Sequence, residues 1–138
     1  NLKDDDLRIE QFSNCLNTIE GTVNRLKNEG LIERFFCFPY STEFAAVALE
    51  HDVFDGIIVY RNVQETDFDS LIDRSNVLGK SCQIIRPFNA GNAMETDKRS
   101  MVEHLAFAVG KSAIESAILS SNSIAHLQPL AASLVSDQ

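Results

Sequence analysis

The 138-residue sequence predicts an α/β protein with a parallel sheet, in which one helix is followed by four strand–helix units. Apolar residues recur at three- and four-residue steps in the helical segments, the first of which runs from Ile9 to Leu26. Between these segments lie short apolar runs without polar alternation, a pattern typical of parallel strands covered on both faces. Two architectures fit this order: an open doubly wound sheet, or part of a (β/α)8 barrel.

Glycines and prolines bound the predicted elements. The predicted strands are Ile32–Phe38, Gly56–Tyr60, Cys82–Arg86 and Glu115–Leu119. Pro39 and Pro87 end the first and third strands, because proline has no N–H to donate to a neighbouring strand. Gly30 and Gly110 follow helical segments, as helix-terminating glycines do. Pro129 lies inside the last helical pattern and predicts a kink or a restart of that helix.

Composition restricts the classes of partner. The net charge of −8 argues against general binding to nucleic acid or to an anionic membrane, because both need a basic face. No apolar run approaches the roughly 20 residues that span a bilayer. Cys15, Cys37 and Cys82 lie among apolar residues without a Cys-x-x-Cys pair, which predicts reduced core cysteines, no metal site and a cytoplasmic location. The composition does not argue against a small-molecule ligand.

Polar residues follow all four predicted strands, at the sheet edge where α/β proteins bind ligands. These residues are Tyr40-Ser41, Tyr60-Arg61-Asn62, Arg86 with Phe88-Asn89, and Ser120-Ser121-Asn122-Ser123. The opposite strand ends carry acidic or small residues: Glu33, Asp55, Ser81 and Glu115. This asymmetry predicts a ligand face that prefers anions. The alternative is that strands entering surface loops ordinarily end in polar residues.

The serine-rich segment Ser120–Ser123 precedes the last helical pattern, where free N–H groups favour anions. The same residues are also ordinary helix caps. His51, His104 and His126 are not paired with a nucleophile or spaced for a metal, and no Ser-His-Asp arrangement stands out. The sequence therefore predicts a binding face without a catalytic residue.

Four segments carry a resemblance to a known family. They are CLNTIEGTVNRLKNEGLIERFFCFPYSTE, VFDGIIVYRN, LGKSCQIIRPFNAG and LAFAVGKSAIESAILSSNSIAHLQPLAASL. Over residues 7–135 the chain resembles the C-terminal half of the aldo-keto reductase superfamily barrel, from the helix before strand five to the last helix. The resemblance implies half of a TIM (β/α)8 barrel, with four parallel βα units that correspond to strands five to eight.

A half barrel leaves its first and last strands, Ile32–Phe38 and Glu115–Leu119, with unpaired edges. Such edges are not tolerated in a parallel sheet in water. Residues 1–138 are therefore expected to form a single domain that is part of a longer chain or is completed by a second copy. The expected partner is the missing N-terminal half or a homo-oligomer.

The family binds NAD(P) at the carboxyl ends of these strands, and several matching positions differ here. A Ser-Asn pair that holds the nicotinamide amide is replaced by Phe38 and Pro39. A Gln on the sixth strand is replaced by Ile58, and the Tyr at its end by Arg61, whereas Asn62 is retained. The resemblance therefore implies that NADP binding is weak or lost at the nicotinamide end.

The resemblance implies that more of the phosphate end of the family's cofactor site is retained in this chain than of the nicotinamide end. The resemblance implies these cofactor-binding residues: Arg61, Asn62, Arg86, Ser120, Ser121, Asn122 and Ser123. A Glu-Asn pair of the family's last helix is replaced by Pro129-Leu130. The family's catalytic Asp, Tyr, Lys and His belong to earlier strands, so this chain contributes none of them. Two hypotheses follow: half of an NAD(P)-dependent carbonyl oxidoreductase, or a non-catalytic relative that serves in binding or assembly.

Overall fold

The computed structural model describes residues 2–121 and 123–135, so the predicted site residue Asn122 lies outside the described part. The helices are α1 (Leu2–Asn28), α2 (Thr42–Leu49), α3 (Asp69–Val77), α4 (Asn92–Thr96), α5 (Met101–Val109) and α6 (Ile124–Val135). The strands are β1 (Phe36–Cys37), β2 (Gly56–Tyr60), β3 (Ser81–Ile85) and β4 (Ile114–Ile118). A short 3₁₀ turn, Asn89–Gly91, precedes α4.

The four strands form one sheet in the order β1-β2-β3-β4, and every neighbouring pair is parallel. This confirms the predicted α/β class with alternating strands and helices. The predicted bounds of β2 are confirmed, and those of β3 and β4 differ from the prediction by one residue. In barrels and in singly wound sheets, strands that are consecutive in the chain lie next to each other. In a doubly wound sheet, the strand order reverses at a switch point.

The first predicted strand, Ile32–Phe38, is wrong in length, because only Phe36 and Cys37 pair with β2. Its partner strand begins at Gly56, opposite Phe36, so the preceding residues have no strand beside them. Phe35 instead bonds to Asp55 in the loop before β2, through its N–H to a carboxylate oxygen at 2.7 Å and its carbonyl to the backbone N–H at 2.8 Å.

The helices that contact the sheet cover one of its faces. Ile57, Val59, Cys82 and Ile84 are fully buried in one cluster with residues of α1, α2, α3 and α5. The intervening strand residues are only half-buried: Phe36, Ile58, Tyr60, Gln83 and Ile85. We call this second side the open face. The prediction of cover on both faces is therefore wrong for the described residues, because right-handed crossovers that always step to the next strand place their helices on the same side.

A salt bridge crosses the open face from one sheet edge to the other. Arg34, two residues before Phe36, donates to both carboxylate oxygens of Glu115 on β4. Its guanidinium also lies 5.1 Å from the centre of the Phe36 ring. In a flat sheet the first and fourth strands are about 14 Å apart, with side chains perpendicular to the sheet. Side chains that meet from both edges favour a concave open face, as inside a barrel.

This salt bridge predicts an acid-dependent loss of stability. The hydrogen bonds from Arg34 lower the pKa of Glu115 below its ordinary value of 4.5. The unfolded chain therefore takes up the proton first as the pH falls, and the free energy of unfolding decreases below about pH 4.5. We expect Glu115→Gln to be less stable than the wild type at pH 7 and to show a weaker acid dependence, measured by urea unfolding between pH 7 and pH 3. An acid dependence identical to that of the wild type would contradict this role of Glu115.

Two further sequence predictions are changed by the structure. Cys15 is exposed on α1, because it lies beside and not within the apolar stripe, whereas Cys37 and Cys82 are buried as predicted. Helix α6 runs through Pro129 as one element, so the predicted restart does not occur. None of the described helices combines the length and apolarity needed to cross a bilayer.

Candidate functional site

An open groove of about 820 Å³ lies at the carboxyl ends of β3 and β4. It is bounded by the loop after β3, the end of β4 and the inner sides of α4, α5 and α6. Among the described residues, three of the predicted site residues line it: Arg86, Ser120 and Ser121. Its apolar lining includes Ile85, Met94, Met101, Ile118, Leu127 and Leu130. The described lining thus combines an apolar wall with the guanidinium of Arg86 and the side chains of two serines, a mixture found in sites for small organic anions.

Arg86 directly follows β3 and has a left-handed backbone conformation, with φ of 53°. In a regular strand it would follow Cys82 and Ile84 toward the helices. The change in backbone direction instead brings its guanidinium 4.9 Å from the centre of the Tyr60 ring, on the open face. No described carboxylate pairs with Arg86. Its planar donor group is therefore available to an anion in the groove.

Three aromatic side chains continue from Arg86 across the open face at the carboxyl ends of β1 and β2. Phe38 lies between Tyr60 and Tyr40, with ring centres 5.7 Å and 5.1 Å away, respectively. At the far end, Arg8 of α1 lies 5.8 Å from the centre of the Tyr40 ring. We call Phe38, Tyr40 and Tyr60 the aromatic row. Sequence reasoning missed it because it depends on the strand residues that share the open face.

The turn before α6 contributes hydroxyls and the helix start. The Ser121 hydroxyl accepts a hydrogen bond from the Ser123 N–H at 3.1 Å and donates to the Ser123 carbonyl at 3.0 Å. Ser123 directly precedes Ile124, the first residue of α6. The first N–H groups of a helix have no intrahelical partner and favour anions. Ser120 and Ser121 border the groove, whereas Ser123 does not.

Arg61 faces the helices and does not line the groove, contrary to its predicted role in the site. It follows Ile57 and Val59 on the covered side of β2, and it pairs with Asp69 at the start of α3 at 2.7 Å. It also donates to the carbonyls of Phe107 and Ala108 in the last turn of α5. Its side chain is only 7% exposed, so Arg61 joins two helices to the sheet.

Asn62 is fully buried and also does not line the groove. Its side-chain oxygen accepts from the N–H groups of Gln64 and Glu65 at 2.9 Å and 3.1 Å. Its amide nitrogen donates to Glu65 at 2.6 Å and to the carbonyl of Arg86 at 3.1 Å. Asn62 therefore holds a turn and the backbone of Arg86, and its polar atoms are not free for a ligand.

The described residues contain no group of three or more His, Cys, Asp or Glu side chains arranged to hold a metal ion. His104 of α5 is fully buried, and neither ring nitrogen has a hydrogen-bond partner. It is not among the residues that line the groove. The described site therefore offers a ligand the guanidinium of Arg86 and the hydroxyl of Ser120 beside an apolar wall.

No protein-family model matches the chain, and comparisons with curated proteins and with solved structures find no match. The assignment of a function therefore rests on the residues and on the groove itself.

Proposed function

We propose that this chain forms the phosphate-binding half of a (β/α)8 barrel similar to the aldo-keto reductases. In this proposal the groove at the ends of β3 and β4 receives the phosphate-bearing end of NADP or a related nucleotide. The observation that carries the proposal is the convergence of unpaired Arg86 with Ser120 and Ser121 on one groove. A strand order without a switch point and the salt bridge over the open face support the half barrel.

The residues fit the phosphate end of such a cofactor. Arg86 offers a planar fork of N–H donors, which suits phosphate oxygens. Ser120 adds a hydroxyl and the start of α6 adds backbone N–H donors, whereas the Ser121 hydroxyl donates its proton to the Ser123 carbonyl. The groove volume of about 820 Å³ lies within the ordinary range for small-ligand sites.

The nicotinamide end fits less well. After β1, Phe38 has an aromatic side chain, and the buried Pro39 has no N–H to donate. The family has polar side chains at the two matching positions. Ile58 on the open face is likewise apolar. A missing hydrogen bond to a buried polar group costs on the order of 1–3 kcal/mol, so NADP should bind through its phosphate end alone.

In a complete reductase the bound nicotinamide supplies hydride chemistry. The role of this chain is narrower: Arg86 and Ser120 bind and orient the phosphate, and Asn62 holds the Arg86 backbone in place. Catalytic side chains would come from outside the four βα units. The second candidate, a non-catalytic binding or assembly relative, is favoured by the apolar side chains at Phe38, Pro39 and Ile58.

Calorimetric titration with NADPH and with inorganic phosphate tests this proposal. We expect both to bind the wild type, with NADPH no more than about tenfold tighter, because the phosphate end supplies most of the affinity. Arg86→Ala should weaken both by about tenfold, as expected for the loss of a charge-assisted hydrogen bond.

The matched control is Arg74→Ala, which removes another exposed arginine, one that pairs with Glu50 away from the groove. It should bind both ligands like the wild type. Unchanged phosphate binding in Arg86→Ala would remove Arg86 from the site. Micromolar NADPH binding that survives Arg86→Ala would show that the nicotinamide end is intact and would favour a full reductase site.

A further inference from the structure

We infer that two copies of this chain close one eight-stranded barrel, in which β4 of each copy pairs with β1 of the other. This inference rests on the half barrel proposed above. The inference concerns the assembly and is tested by molecular mass. The dimer can therefore be absent while the ligand binds, and the dimer can form while the ligand does not bind.

The sheet itself limits how a partner can bind. Within residues 2–121 and 123–135, β1 and β4 each have a neighbouring strand on only one side, and the four described strands are parallel. A second copy related by a twofold axis along the barrel would pair both edges of each copy at once. No edge would remain for a third copy, so the assembly is closed. Closure would also cover the open face. Ile118 of the edge strand β4 is 51% exposed in the single chain.

The two edges carry complementary charges at the same end of the sheet. Arg34 lies just before β1, and Glu115 is the second residue of β4. Within one copy these side chains must reach across the whole open face to meet. When β4 lies beside β1 of a second copy, Glu115 comes next to Arg34 of the second copy on an adjacent strand. Complementary charges on neighbouring edges select the partner and its orientation.

The same closure would join two cavities that lie at opposite edges of one copy. The phosphate groove lies at the ends of β3 and β4. A second cavity of about 310 Å³ lies at the end of β1 and includes Arg8, Phe38 and Tyr40. In the closed barrel, the groove of one copy would adjoin Tyr40 of the other. A nucleotide could then place its phosphate on Arg86 and an aromatic ring on the neighbouring copy.

Sedimentation equilibrium on the wild type and on charge-reversed variants tests the assembly. We expect the wild type, with a chain mass of 15.3 kDa, to sediment at twice that mass. Arg34→Glu alone leaves only acidic side chains at the two positions, and Glu115→Arg alone leaves only basic ones. Each variant alone should associate at least about tenfold more weakly because like charges then face each other at both contacts.

The mixture of the two single variants is the decisive sample. A mixed dimer has an Arg–Glu pair at both contacts, although the pair within each copy remains broken, so an equimolar mixture should recover the dimer. Circular dichroism on each variant confirms that it is folded. A monomeric wild type at submillimolar concentration would overturn the inference, whether or not the variants fold. Species larger than a dimer would overturn closure by two copies, and a mixture that stays monomeric beside a dimeric wild type would overturn the assigned edges.

Discussion

Replacing Gly56 with alanine is expected to lower the free energy of unfolding by about 3 kcal/mol, because the added methyl group has no space. A Cβ at this position would lie 1.9 Å from the Ser81 carbonyl oxygen and 2.6 Å from a ring carbon of Phe36. The first of these atoms is backbone of the neighbouring strand β3, so relief requires β2 and β3 to move apart. The second belongs to β1, so the same methyl group disturbs both strand pairs.

Urea unfolding followed by circular dichroism measures this effect. Gly21→Ala is the matched control, because Gly21 lies in α1 and a Cβ there would meet no atom within 4 Å. That variant should be more stable by about 0.5–1 kcal/mol, the usual gain from alanine within a helix. If Gly56→Ala unfolds within about 0.5 kcal/mol of the wild type, the close packing of β1, β2 and β3 described above is wrong.

Replacing Arg61 with methionine is expected to destabilise the protein by about 2–3 kcal/mol. Methionine keeps an unbranched apolar stem but removes the guanidinium, so Asp69 retains the more distant Lys111 ammonium at 3.8 Å. The carbonyls of Phe107 and Ala108 in α5 lose their bonds from Arg61, although Phe107 still accepts from the Gly110 N–H. The side chain of Asp69 is 31% exposed, so solvent offsets part of the loss. The effect remains large because the guanidinium itself is buried between the sheet and two helices.

Arg74→Met serves as the control for arginine removal. The Arg74–Glu50 pair has side chains that are 46% and 53% exposed, and exposed pairs contribute about 0.5 kcal/mol or less. In thermal and urea unfolding, Arg61→Met should therefore lose clearly more stability than Arg74→Met. Equal losses for Arg61→Met and Arg74→Met would contradict the structural role assigned to Arg61. Phosphate binding should persist in Arg61→Met under conditions in which it remains folded.

The sequence predicts the α/β class and the strand β2 well, because a short continuous apolar run between two helical patterns indicates a buried parallel strand. It predicts β1 poorly, since Ile32 and Phe35 before Phe36 pack against the core without pairing with a strand. Strand length depends on where the partner strand begins. That information is not local, so no pattern within Ile32–Phe38 contains it.

The sequence predicts the sheet edge at which the groove lies, but it does not predict which of the named residues line the groove. Alternation along β2 assigns Arg61 to the side of Ile57 and Val59, so strand periodicity alone could have separated it from the ligand face. Arg86 breaks the same rule through its positive φ, which no sequence pattern at a non-glycine residue reveals. The buried role of Asn62 depends on a turn that brings it to the Arg86 carbonyl.

We propose above that the groove at the ends of β3 and β4 binds the phosphate end of a nucleotide. The most direct measurement is a residue-resolved NMR titration of the ¹⁵N-labelled chain with NADPH, compared with inorganic phosphate. We expect both ligands to shift the same backbone amides, centred on Arg86, Ser120, Ser121 and Ile124, with smaller NADPH-specific changes near Tyr60. Absence of shifts at millimolar ligand, or shifts centred on the opposite strand ends, would contradict the claim.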